Sequence, residues 1–221
     1  MSLASEPSPA RVAAVGVVSH ADRAHIGEAP ASSGTTVYDG DRLSTEADGL
    51  LRLNAGATSL HLAPQTSLTV RLAGSGQGTQ VELDIGTLVF SSSKPPAIAV
   101  RANDAWIRPA SNAPTVAHIR IVNRKELRIS AQRGSLQLSH EGESAVIPEG
   151  VAYQVLLDPD DDSARASSTA QVSKKSGKAR RAFLLILIGA AAGIGIPILI
   201  HSFESPDHPG TIVHTPINPG H

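Results

Sequence analysis

From Ala13 to Leu157 the apolar residues recur at every second position, in short runs. Leu51 and Leu53 form one such run, Leu60 and Leu62 the next, then Leu68, Val70 and Leu72. Val81, Leu83 and Ile85 follow, then Leu88 and Phe90, Ile98 and Val100, and Ile119 and Ile121. Leu127 and Ile129, Leu136 and Leu138, and Tyr153, Val155 and Leu157 complete the series. Successive side chains of a strand point to opposite faces, so this alternation predicts strands with one buried face. Turn-forming residues separate the runs, among them Asp39-Gly40-Asp41, Asp48-Gly49, Asn54-Ala55-Gly56, Asn123-Arg124-Lys125, Glu141-Gly142 and Pro148-Glu149-Gly150. No stretch of this region keeps a helical period. The expectation is an all-β domain over residues 13–157, beginning with a strand at Ala14–Val18 and holding roughly ten to twelve short antiparallel strands.

A weak internal echo bears on the architecture. The run around Gly86 (Val81–Ser91) and the run around Gly134 (Leu127–Ser139) both read strand, Gly-Thr/Ser-Leu, strand. Stacked units of this kind form a short solenoid-like roll; two ordinary strand-turn-strand units form a β-sandwich. Two copies leave both open, since a solenoid rests on about three or more.

The alternation stops at both ends. Residues 1–12 are rich in Ser, Pro and Glu, which predicts a disordered N-terminus. They lack the charged and apolar regions of a secretory signal, and Val12–Val18 is too short to supply one. Residues 158–181 are small and polar, a flexible linker. Then Ala182–Ile200 runs AFLLILIGAAAGIGIPILI without a charged, amide or hydroxyl side chain. As a helix it spans about 28 Å against a hydrocarbon core of about 30 Å, which predicts one C-terminal transmembrane α-helix. Gly189 and Gly193 stand four apart on it, a spacing that lets two helices approach closely and makes them candidates for homodimer packing. Residues 201–221 form a short His/Pro-rich tail.

Lys174, Lys175, Lys178, Arg180 and Arg181 abut the apolar run, and no Lys or Arg follows. The positive-inside rule then places the β-domain in the cytoplasm, in preference to the periplasm, and the tail outside. These charges also point to membrane lipid headgroups as partners. The net charge of −1 argues against a nucleic-acid partner. The chain has no cysteine, which removes disulfides, Cys-based metal sites and Cys nucleophiles together.

Candidate chemistry is sparse. Gly74-Ser-Gly-Gln-Gly78 lacks the Lys-Ser/Thr of a phosphate loop and precedes a strand. Asp158-x-Asp160-x-Asp162 opens like a calcium loop, but Ser163 stands where Gly is needed and Thr169 where Glu is needed. His20, His25, His61, His118 and His140 form no ligand-spaced pair and are expected to face solvent. The tail histidines, His201, His208, His214 and His221, match no metal-site spacing. The expectation is a chain that is not an enzyme, with no cofactor and no metal.

Gly40-Asp41, Leu43-x-Thr45 and Gly49, followed by the alternating Leu51 to Leu53 and Leu60 to Leu62, resemble the core of a FecR-type domain, the family named for a regulator of ferric citrate uptake. Val81–Phe90 and Arg133–Leu138 resemble its later strand pairs. The resemblance covers about Val15 to Leu157 and implies a β-rich interaction module. In the namesake arrangement such a domain follows a membrane helix, faces the periplasm and relays a signal to a sigma factor. Here the β-domain precedes the apolar segment. The functional expectation is a single-pass protein of the bacterial inner (plasma) membrane, whose non-catalytic FecR-like domain binds a protein partner, as yet unknown, in envelope signalling or regulation. The alternative is a structural or polysaccharide-binding envelope module.

Overall fold

The alternating runs become strands that pair into one continuous sheet, bent at a single long strand into two limbs. The computed structural model describes residues 13–74, 78–94, 98–158 and 183–190. In chain order the strands are β1 (Ala14–Ile26), β2 (Ala29–Pro30), β3 (Thr36–Tyr38), β4 (Arg42–Ala55), β5 (Thr58–Leu62), β6 (Ser67–Leu72), β7 (Thr79–Ile85) and β8 (Thr87–Ser92). They continue with β9 (Ile98–Ala102), β10 (Ala105–Pro109), β11 (Thr115–Asn123), β12 (Glu126–Arg133), β13 (Leu136–His140), β14 (Glu143–Ile147), β15 (Val151–Leu157) and β16 (Phe183–Ala190).

The bend lies in β4. Its first residues, Arg42–Ser44, pair with β6, and its last, Leu51–Ala55, pair with β5. One limb therefore runs β4-β6-β7-β9-β10-β13-β14, and the other β4-β5-β8-β11-β12-β15-β16. On its other edge β4 pairs along both halves with β1, which carries the short β2 and β3. The chain passes back and forth, laying down strands first in one limb and then in the other. The parallel pair β7–β9 records one such passage, since β8 between them belongs to the opposite limb.

The two inner faces share one hydrophobic cluster. In one limb, Leu53, Leu60, Phe90, Ala117 and Ala131 stand in register from strand to strand, and all are buried. In the other, Val70, Val81, Val100, Ile107 and Leu138 do the same. Of these ten side chains only Phe90 is aromatic. The core is thus filled mainly by aliphatic side chains, whose burial contributes about 1.5–3 kcal/mol each for Val, Leu and Ile.

The choice between sandwich and roll resolves into a winding pair of facing limbs, and the internal echo is part of the winding. Gly86 carries the chain from β7 in one limb to β8 in the other; Gly134 carries it from β12 back to β13. Both have positive φ, 91° and 68°. Each packs on a threonine at an earlier crossing, Thr66 before β6 and Thr115 at the start of β11. Each threonine hydroxyl donates to the carbonyl two residues back, Thr66 to Pro64 at 3.4 Å and Thr115 to Ala113 at 3.0 Å. The two units are the same device with the limbs exchanged.

Three expectations are corrected. Ile85, expected inward with Val81 and Leu83, is 56% exposed. A register shift between Ser67 and Leu68 leaves Ile85 opposite Ser67 and Leu83 opposite Leu68, so the alternation breaks just before the Gly86 crossing. Among the described residues the domain holds fifteen strands, more than the ten to twelve expected, because short strands such as β2, β3, β10 and β14 carry too few apolar residues to show a pattern.

The third correction concerns the apolar segment. Phe183–Ala190 is a strand, paired antiparallel with β15 from Leu157↔Phe183 to Val151↔Ala190, where the first half of a helix was expected. The edge of β15 offers a row of unpaired backbone groups, and a uniformly apolar run fits a strand as readily as a helix. Among the described residues no helix is long and apolar enough to cross a membrane. Gly189 lies in β16 beside Ala152. Gly193, the remainder of the predicted span, the basic run Lys174–Arg181 and the His/Pro tail lie outside the described residues.

Candidate functional site

The residues that carry the family resemblance sit at the bend. Asp41 Oδ2 accepts from the Tyr38 N–H at 2.8 Å, and Gly40 N–H donates to Val70 O at 2.9 Å. Leu43 is fully buried. The Thr45 hydroxyl donates to Ala63 O at 2.6 Å and accepts from Thr66 N–H at 3.0 Å. A Cβ on Gly49 would stand 2.2 Å from Arg23 O, so the close approach of β1 to the bend requires glycine there. Leu43, Thr45 and Gly49 are buried at the bend, while Gly40 and Asp41 form the more open turn that leads into it.

On the outer face of the second limb, Arg52, His61, Val89, His118 and Ser130 stand in register across β4, β5, β8, β11 and β12. His61 and His118 flank Val89 and are half-buried. Burial holds both imidazoles below their ordinary pKa, and the Arg52 charge adds to the effect at His61. Gln132 Nε2 lies 3.2 Å from His118 Nε2.

The far ends of the limbs, β14 and β16, expose apolar side chains: Val146 is 59% exposed, Leu187 48% and Ile188 47%. On β16, Phe183 and Leu185 pack against the core. Leu184 and Ile186 are half-buried on the opposite face. An edge strand apolar on both faces is the arrangement natural sheets avoid, because it invites further pairing.

One cluster at this end has metal-ligating chemistry. His140, Glu141 and Asp158 bring one ligand atom each to within 4.8 Å of one another. His140 was expected to face solvent; it is 6% exposed. It follows Leu136 and Leu138 at the next inward position of β13, and that alternation was the signal for its burial. Glu141 begins the β13–β14 turn and Asp158 directly follows β15, so the two carboxylates come from different limbs. His140 Nε2 lies 3.8 Å from Asp158 Oδ1, too far for a hydrogen bond, and among the described residues neither ring nitrogen has a hydrogen-bond partner.

No protein-family model matches the chain, and no curated protein matches it. Two crystal structures, at 1.65 and 2.50 Å resolution, of a candidate anti-sigma factor from Parabacteroides distasonis ATCC 8503 are similar to it in part. They share 13% identity over 52% of this chain and 54% of that one, with TM-scores of 0.45 and 0.44. The chain thus matches about half the length of those structures.

Proposed function

We propose that the chain is a membrane-anchored, non-catalytic β-domain of FecR type that binds a protein partner in envelope signalling. The observation that carries this reading is the composition of β16. It covers the edge of β15, yet it is apolar on both faces and leaves Leu187 and Ile188 half-exposed. A segment that only closed a sheet would carry polar residues outward. This one is the start of a nineteen-residue apolar run with a five-charge basic flank. In lipid that run satisfies its own backbone as a helix. Its departure from the sheet frees the backbone of Val151–Leu157 for strand addition by a partner.

The test is protease shaving of intact cells and inverted vesicles, with an epitope tag at each end of the chain. The N-terminal tag is expected to be protected in cells and cleaved in vesicles, with the C-terminal tag behaving in the opposite way. Recovery of the chain in the soluble fraction overturns the anchor, and cleavage of both tags in intact cells overturns the cytoplasmic placement.

A further inference from the structure

We propose that His140, Glu141 and Asp158 form a divalent-cation site that ties the ends of the two limbs together. A buried imidazole with both nitrogens unpartnered is a costly arrangement, and buried polar groups in native proteins are nearly always satisfied. Carboxylate oxygens of Glu141 and Asp158 stand beside it, with Asp158 Oδ1 3.8 Å from Nε2. A cation between them satisfies imidazole and carboxylates at once.

The geometry is close to what a cation needs. Donors at about 2.0–2.2 Å from a tetrahedral ion stand about 3.3–3.6 Å from each other. The three donors here lie within 4.8 Å, so closure needs about an ångström of movement. Glu141 and Asp158 are exposed and can supply it by changing rotamer, while His140 is held by the core. One nitrogen and two carboxylates match a borderline first-row ion, with Zn²⁺ first and Mn²⁺ next; Ca²⁺ prefers oxygen alone.

The position gives the site a purpose. Asp158 is the last described residue before the chain leaves toward β16, and Glu141 belongs to the turn of the opposite limb. A bound cation fixes the end of β15 against β13, and with it the exit of the segment that leads to the apolar run.

The test uses the full chain with His201, His208, His214 and His221 changed to Ala, which removes the tail imidazoles as competitors. Titration with ZnCl₂ by calorimetry is expected to give saturable one-to-one binding. A hundredfold excess over Kd is expected to raise Tm by roughly 5–10 °C. Even losses outside the coordination sphere weaken metal binding about 10–100-fold, so E141Q and D158N should each weaken it at least about tenfold. Both replace exposed side chains and leave buried His140 in place, so folding is retained. Absence of saturable binding, or Zn²⁺ affinity unchanged from the parent in E141Q and D158N, overturns the site and leaves His140 beside Asp158 without a shared ion.

Discussion

A side chain on Gly86 would have to occupy the place of the Thr66 hydroxyl: its Cβ would stand 2.4 Å from Thr66 Oγ1 and 2.6 Å from Gln65 O. The same hydroxyl accepts from Thr87 N–H at 3.0 Å and lies 3.1 Å from Thr87 O. The crossing from β5 to β6 and the crossing from β7 to β8 are therefore locked by one contact. Gly134 repeats it on Thr115, with a Cβ 2.8 Å from Thr115 Oγ1.

G86A combines a backbone conformation foreign to alanine with a clash against backbone, and it should cost about 2–5 kcal/mol. G134A should cost less, because its nearest neighbour is farther. G56A, with positive φ but open space around it, should cost about 1 kcal/mol. Urea unfolding of the three variants should give that order; equal losses would remove the contact as the cause.

T66V keeps the shape of the side chain but leaves Thr87 N–H without its acceptor. The expected loss is about 1–3 kcal/mol. T45V removes the acceptor of Thr66 N–H in the same way. The two sites share Thr66, so the double variant should depart from the sum of the singles by about 0.5 kcal/mol or more. A double-mutant cycle by urea denaturation measures this.

Stability should fall on acidification. His61 and His118 have pKa values below the ordinary 6.5 in the folded state, so below that pH the unfolded chain binds more protons. Their contribution is complete above about pH 6.5 and is lost as pH falls toward the folded values. Urea midpoints between about pH 7 and pH 5 should decline, and H61Q/H118Q should flatten that decline. An unchanged slope in the double variant would place the effect elsewhere.

The chain has no cysteine, so paired cysteines report β16 without background. Tyr153 and Leu187 are partners in register, whereas Ile186 points to the other face. Y153C/L187C should oxidise to a disulfide in purified protein, and Y153C/I186C should not. Reconstitution into bilayers should abolish the first cross-link if the apolar run enters lipid. Persistence of the cross-link there would hold β16 in the sheet.

Much of the domain was legible because burial leaves a period-two mark. Leu60, Leu62, Leu88, Phe90, Leu127 and Ile129 all point inward as their alternation predicts. β10 left no mark, since Ala105 and Ile107 alone face the core, and Trp106 lies outward under the Arg108 guanidinium. His140 was misread because its residue type was weighed above its position. The two carboxylates near it are 17 residues apart and meet only because the limbs fold together.

Local chemistry was enough to show that the domain is β, which face of most strands is buried, and where most turns fall; Asp48-Gly49, expected as a turn, instead lies within β4, where its pairing with β1 shifts register. That chemistry is side-chain alternation, and the residue types that turns require. Which strands pair, the bend of β4 that divides one sheet into two limbs, and the contacts of Gly86 and Gly134 with Thr66 and Thr115 emerge from the folded chain alone. So does the pairing of Phe183–Ala190 with β15. Alternation says which side of a strand is inward but nothing about its neighbour. A run apolar at every position carries no period at all, so its conformation is set by what it packs against.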